Sequence, residues 1–215
     1  MTERPVSVRT RFERFPATVK GALVFRGEDS DPHQIAVRGA RVVGFGGGPG
    51  REVPVELAVV TVPPHQDVFV PFEMAVGDLE PGWYGFEIDV DLDGSPRRLD
   101  GDRRFSVAWP RGTMRTGTVK VDRSFRVGEQ RVVVARLQLA SDATTLRLEV
   151  DPMAPLEVAL VAEPGSHALP VVEFDLDERS STVIVRAYPV PRGSRKLRLD
   201  VAAGDHRQSV DLSLD

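Results

Sequence analysis

Cysteine is absent from all 215 residues, which removes disulfides, zinc–thiolate sites and thiol nucleophiles from consideration. Aromatic residues are scarce, with ten Phe, two Trp and two Tyr, against the exposed ring platforms with which carbohydrate- or single-strand-binding sandwiches hold ligands. No run approaches the roughly 18 apolar residues of a membrane helix, so membrane insertion is not expected. The N-terminal MTERPVSVRTRFERF lacks the apolar stretch of a secretory signal, and the expected compartment is the cytoplasm. An excess of positive charge is also missing. The net charge is −4; residues 1–110 carry 13 basic against 17 acidic side chains and residues 111–215 carry 15 of each, so no nucleic-acid partner is expected.

What the chain does have is β-pattern. Apolar residues alternate with polar ones, or form short β-branched runs, in TVKGALVF (18–25), IAVRGARVVGF (35–45), VELAVVTV (55–62), DVFVPFEM (67–74), WYGFEIDVDL (83–92) and RFSVAW (104–109). The pattern continues in MRTGTVKV (114–121), QRVVVARLQLA (130–140), TTLRLEV (144–150), LEVALVA (156–162), TVIVRAYPV (182–190), KLRLDV (196–201) and QSVDLSL (208–214). The 17 Pro and 19 Gly fall mostly between these segments, as turn residues do. The stretch before them, RPVSVRTRFERF, reads as a terminus leading into the first strand. The chain is expected to be all-β.

So many short strands crowd a single sandwich, and a faint internal repeat suggests two. GDRRFSV (101–107) matches GDHRQSV (204–210) at five of seven positions, an offset of 103, while GWYGFEIDV (82–90) aligns with GSRKLRLDV (193–201) at an offset of 111. Taken together, these imply that each half ends in the same hairpin, with a longer connection, DLDGSPRRLD, in the first. The expected architecture is two tandem immunoglobulin-like β-sandwich domains, 1–110 and 111–215, joined within AWPRGTMRTG (108–117). Side-chain parity groups Trp109 with Phe105 and Val107, in the core or at the joint.

Leu79, Pro81, Gly82 and Tyr84 in LEPGWYGFEIDV occupy the places of an L-x-P-G-x-Y stretch. This resembles the opening of a late strand in immunoglobulin-like and fibronectin-III-like modules. The resemblance implies a sandwich in which the Tyr84 hydroxyl turns back onto nearby backbone. It implies no particular activity. An arrestin-like pair of sandwiches is a second architecture that TVKGALVF and VPFEMAVGDLEPG resemble.

Within FEIDVDLDG (86–94), Glu87, Asp89, Asp91 and Asp93 occupy alternate positions. DVDLDGSPRRLD (89–100) has the acid spacing of a calcium loop, but the residues before it alternate as a strand, and carboxylates in a row on a strand do not converge on one ion. The expected reading is a solvated strand face with cross-strand pairs from Arg97, Arg98, Arg103 and Arg104. A Ca²⁺ site at the loop tip, built from Asp93, Asp100 and Asp102, is the alternative.

Catalytic motifs are absent. GFGGGPGRE (44–52) has neither the G-K-[ST] nor the helix of a phosphate loop. His33, His65, His167 and His206 stand far apart beside turn residues, and no serine sits in a G-x-S-x-G elbow. The protein is not expected to be an enzyme, and no cofactor is expected. The expected role is a scaffolding or interaction protein. A protein partner would be bound through sandwich loops, edge strands or an inter-domain groove, with Phe45, Arg51, Trp83, Arg97 and Arg98 as contact residues. A homo-oligomer formed through an edge strand is a further expectation.

Overall fold

A computed structural model describes residues 5–14, 17–45, 51–55, 58–121 and 123–214. The described residues form strands and no helix, so none is long and apolar enough to cross a membrane. The chain divides into two compact units, Met1–Val107 and Ala108–Asp215.

In the first unit, β1 (Val6–Arg14), β2 (Thr18–Gly27) and β6 (Asp67–Ala75) form one sheet in the order β1-β2-β6. The facing sheet contains β3 (His33–Gly44), β4 (Arg51–Val53), β5 (Val59–Val62), β7 (Gly82–Leu92), β8 (Ser95–Asp100) and β9 (Phe105–Val107). Its order is β4-β3-β7-β8, with β5 also on β3 and β9 also on β7. These are the A-B-E and C′-C-F-G strands of an immunoglobulin-like sandwich, with β4 and β5 sharing the C′ place and β8 and β9 the G place.

Strand β7 shows why this sequence gives this fold. Phe86, Ile88 and Val90 alternate inward and are buried, while Glu87, Asp89 and Asp91 alternate outward. Each inward side chain contributes about 1.5–3 kcal/mol through burial, and they meet Leu23 and Phe25 of β2 and Phe72 and Met74 of β6 in one apolar cluster. Phe86 lies at its centre, with ring centroids 5.0 Å from Phe72, 5.7 Å from Phe105 and 5.8 Å from Phe12. Such tilted pairs add about 0.5–1.5 kcal/mol each beyond area. At the start of β7 the Tyr84 hydroxyl donates to the Glu80 carbonyl at 2.7 Å, the backbone corner that the L-x-P-G-x-Y resemblance implies.

The described residues of the second unit form ten strands: β10 (Gly117–Val119), β11 (Arg123–Val127), β12 (Gln130–Leu139), β13 (Thr144–Asp151), β14 (Glu157–Glu163), β15 (His167–Leu169), β16 (Val171–Asp177), β17 (Thr182–Ala187), β18 (Lys196–Ala203) and β19 (His206–Ser213). One sheet runs β10-β12-β13-β17-β16, with β11 also on β12; the other runs β15-β14-β18-β19. Read from β12, these are A-B-E-D against C′-C-F-G, an immunoglobulin-like order with β10 and β11 added outside strand A. Leu146, Leu148, Val183 and Val185 of the first sheet meet Leu160, Leu197 and Leu199 of the second in a separate core. The segment before β10 belongs to this unit. The Trp109 N–H donates to the Ser141 carbonyl at 3.1 Å, that of Arg115 to Val190 at 2.8 Å, and Trp109 meets Tyr188 edge-on at 5.3 Å. Trp109 therefore does not share the core of Phe105, as parity along an unbroken strand would have it.

Three expectations are corrected. The stretch 6–14 is not a lead-in but strand β1, paired along its whole length with β2. VVEFDLD (171–177), absent from the expected strands, forms β16. The third correction concerns the repeat. Leu92 faces Ser95 across the turn Asp93-Gly94, and Ala203 faces His206 across Gly204-Asp205, so both hairpins have two-residue turns and one offset, 111, runs through both. DLDGSPRRLD is paired strand rather than a longer connection. The GDRRFSV and GDHRQSV stretches lie at different structural positions, and their likeness marks no shared site. The turns themselves differ. Asp93 and Gly94 both have positive φ, 50° and 78°, the Asp-Gly signature of a type I′ turn, whereas Gly204 has φ 56°.

Candidate functional site

The acidic ladder of β7 lies on the outer face of the β3-β7-β8 sheet, and each rung is met by an arginine. Arg41 stands opposite Glu87 in register and its Nε donates to Glu87 Oε2 at 2.7 Å. Arg98 stands opposite Asp89 and donates to Asp89 Oδ1 at 2.9 Å. Arg38, at the bulge of β3, donates from Nε to Asp91 Oδ2 at 2.8 Å. The Asp89 contact raises the Arg98 pKa above its ordinary value, with weaker help from Glu87 and Asp100. Pairs this exposed contribute roughly 0–1 kcal/mol each. Of the four arginines expected to pair with the ladder, Arg98 does so. Arg97 faces away, opposite Val90, and is exposed. Arg103 lies over the Phe12 ring at 5.9 Å and Arg104 over Phe45 at 4.7 Å. Arg38 and Arg41 were missed because they sit 53 and 46 residues from their partners.

The three candidate calcium ligands are not brought together. Asp93 accepts the Gln34 N–H at 2.8 Å and meets His33 Nδ1 at 2.7 Å. Asp102 accepts the Thr10 N–H at 2.7 Å and the Thr10 hydroxyl at 3.1 Å, closing the outward edge of β1. Asp100 stands opposite Glu87 at the far end of β8. Five residues of strand separate its position from the turn, roughly 17 Å at 3.3 Å per residue. Among the described residues no three His, Asp or Glu side chains converge as a metal site.

The turn holds instead a three-residue clamp that the sequence did not suggest. His33 is buried, and its Nε2 reaches Asp29 Oδ1 at 2.8 Å while Nδ1 reaches Asp93. A carboxylate on each nitrogen favours the protonated ring, which donates from both. Bonding to Asp93 first, then to Asp29, raises the His33 pKa, and the bond to His33 lowers those of both aspartates. The two carboxylates lie on opposite sides of the ring, a geometry that fixes the hairpin tip to the β2–β3 loop.

Of the other expected contact residues, Trp83 is buried at 6% exposure rather than presented. Arg51 is ion-paired with Asp78, whose pKa is lowered chiefly by that bond. The Phe45 N–H donates to the Trp83 carbonyl at 2.7 Å. Residues 46–50 of the glycine-rich loop lie outside the described residues.

Large apolar side chains stand in water elsewhere, on strands at the rims of the sheets. Val59 of β5 is 74% exposed and Phe69 of β6 51%; Phe174 and Leu176 of β16 are 42% and 38% exposed. The signal for β16 was present as the alternation of Val172, Phe174 and Leu176 with Glu173, Asp175 and Asp177.

No family model matches the chain, and no curated protein matches it in sequence. Among solved structures it is similar to a marsupial T cell receptor, at 9% identity and a TM-score of 0.29, over 98% of this chain and 62% of that one. The chain thus spans less than two thirds of the length of the receptor chain it matches. The strand orders described above, not this loose likeness, define both units as immunoglobulin-like.

Proposed function

We propose that this protein is a non-catalytic interaction or scaffolding protein that binds a protein partner through its sheet edges and end loops. The observation that carries this reading is the placement of Val59, Phe69, Phe174 and Leu176 in water on strands at the sheet rims. An edge strand offers unpaired backbone groups, and apolar side chains beside them supply the area a partner buries. The polar outer face of the β3-β7-β8 sheet supports the same division of labour. Its arginines and carboxylates satisfy one another, so it has little uncompensated charge with which to hold an ion or a substrate.

Cross-linking and affinity capture from native lysate test the proposal. A partner whose cross-links map to these rim strands supports it. A monomer that captures nothing, or a protein that turns over a substrate, refutes it.

A further inference from the structure

Strand β16 differs from the other sheet rims of this molecule in what it leaves open. β6 carries Pro71 in its middle and is bridged by Val55 at Phe72. β8 presents Pro96, Arg97 and Arg98. β1 has its outward Thr10 N–H taken by Asp102. β10 and β15 have three residues each, and β19 exposes no large apolar side chain. Proline, charge and shortness are the ordinary means of blunting an edge. Among the described residues, Glu173–Asp177 of β16 pair with β17, the strand contains no proline, and it carries two exposed large apolar side chains.

The two faces of β16 have different chemistry. Phe174 and Leu176 stand in register with Val185 and Val183, which are fully buried, so they extend the core face past its last covered strand. Glu173 and Asp175 point to the other face. Arg186 pairs with Glu173, and Asp177 is bonded to the Ser180 hydroxyl at 2.7 Å. Asp175 stands opposite Ile184, so the rim of this face is acidic at its centre.

We propose that β16 is the docking edge: it accepts an extended segment of a protein partner in which apolar residues alternate with Lys or Arg. Main-chain hydrogen bonds would continue the sheet, apolar side chains would cover Phe174 and Leu176, and basic ones would meet Asp175 and its neighbours. A second copy of this chain does not fit. Antiparallel pairing of β16 with itself about Asp175 sets Asp175 against Asp175 and Glu173 against Asp177, and the basic strand β1 is closed at Thr10. This inference rests on the interaction reading and names its surface and the class of partner.

The probe is a short capped peptide in which valine alternates with arginine, with a valine–glutamate peptide as control, titrated into the full chain and followed by amide shifts and hydrogen exchange. The basic peptide protects the amides of 173–177, and the acidic one does not bind. Asp175→Lys weakens the basic peptide about tenfold and gains the acidic one, while Phe174→Ser weakens whichever peptide binds. Equal binding of both peptides, protection centred on another strand, or no binding overturns the proposal. So does concentration-dependent self-association that Phe174→Ser abolishes. A failed titration with a lysate partner still captured by the Phe174→Ser protein removes the β16 assignment alone. An empty capture with both proteins removes the interaction reading itself.

Discussion

Replacing His33 by Phe keeps the volume of the ring and deletes both of its hydrogen bonds, and its effect on stability should depend on pH in a specific way. His33 is 9% exposed, so in the folded chain the ring is held largely away from water between its two carboxylates. A hydrogen bond to a charged group contributes about 1.5–3 kcal/mol. The Asp93 side chain is 50% exposed, and screening reduces its bond with His33 to roughly 1–2 kcal/mol. The Asp29 bond acts in the same direction.

The His33 pKa is raised above its ordinary value of 6.5, so its stabilisation is fully present below that value and is lost as pH rises through the folded-state pKa. The Asp29 and Asp93 pKa values are lowered below 3.8, so their share is present above that value and is lost as pH falls through the folded-state pKa values. The gap between the native protein and His33→Phe is therefore widest between about pH 4 and 6.5 and narrows as the pH rises above 6.5 through the raised folded-state pKa. Urea unfolding read by hydrogen exchange in peptides covering 29–37 and 88–97 isolates the first unit. A gap that is constant from about pH 5.5 to 8.5, or that grows with pH, refutes the clamp.

Other outcomes follow from the same coordinates. Tyr84→Phe removes the bond to the Glu80 carbonyl and leaves the ring stacked 5.5 Å from Phe105, so the first unit should lose about 0.5–1.5 kcal/mol in urea unfolding. Gly21→Ala would place a Cβ 2.1 Å from the Arg11 carbonyl oxygen and 2.8 Å from the Phe12 Cα, both backbone atoms of β1. The strand has to shift, at a cost of about 3 kcal/mol or more in the same assay. Ca²⁺ at about 1 mM should leave the melting temperature unchanged, because Asp93 and Asp102 are engaged at different places. A rise that Asp93→Ala abolishes would restore the calcium reading.

The sandwich was legible because burial repeats a local signal. Phe86, Ile88 and Val90 announce a strand with one inward face wherever the facing sheet lies, and L-x-P-G-x-Y announces the corner that starts it. β1 was misread because Arg9, Arg11 and Glu13 make it resemble a charged tail, although Val6, Val8, Thr10 and Phe12 keep the alternation. β16 was overlooked for a related reason: an acid at every second position, Glu173, Asp175 and Asp177, makes it resemble a polar loop, although Val172, Phe174 and Leu176 keep the alternation. The false repeat has a different origin. GDHRQSV begins at the Gly204-Asp205 hairpin turn, whereas GDRRFSV spans the break between β8 and β9, two successive strands on one side of β7, so the two stretches match without sharing a place in the fold.

Side-chain partners were less legible because they depend on register between strands far apart in sequence. Asp91 meets Arg38 across 53 residues, and His33 meets Asp93 across 60. Nearby arginines such as Arg97 and Arg103 are closer along the chain but face elsewhere. The consequence for function is physical. On the outer face of the β3-β7-β8 sheet, cross-strand geometry closes Glu87, Asp89 and Asp91 each with an arginine from their own sheet, so density of charge does not amount to capacity to bind. Among the described residues no strand pairs with the outer edge of β16, and Phe174, Asp175 and Leu176 keep their exposure. Recognition by this protein should therefore track the open edge rather than the conspicuous acidic ladder. Charge reversal at Asp175 should change partner choice more than charge reversal at Asp89, whose own arginine already answers it.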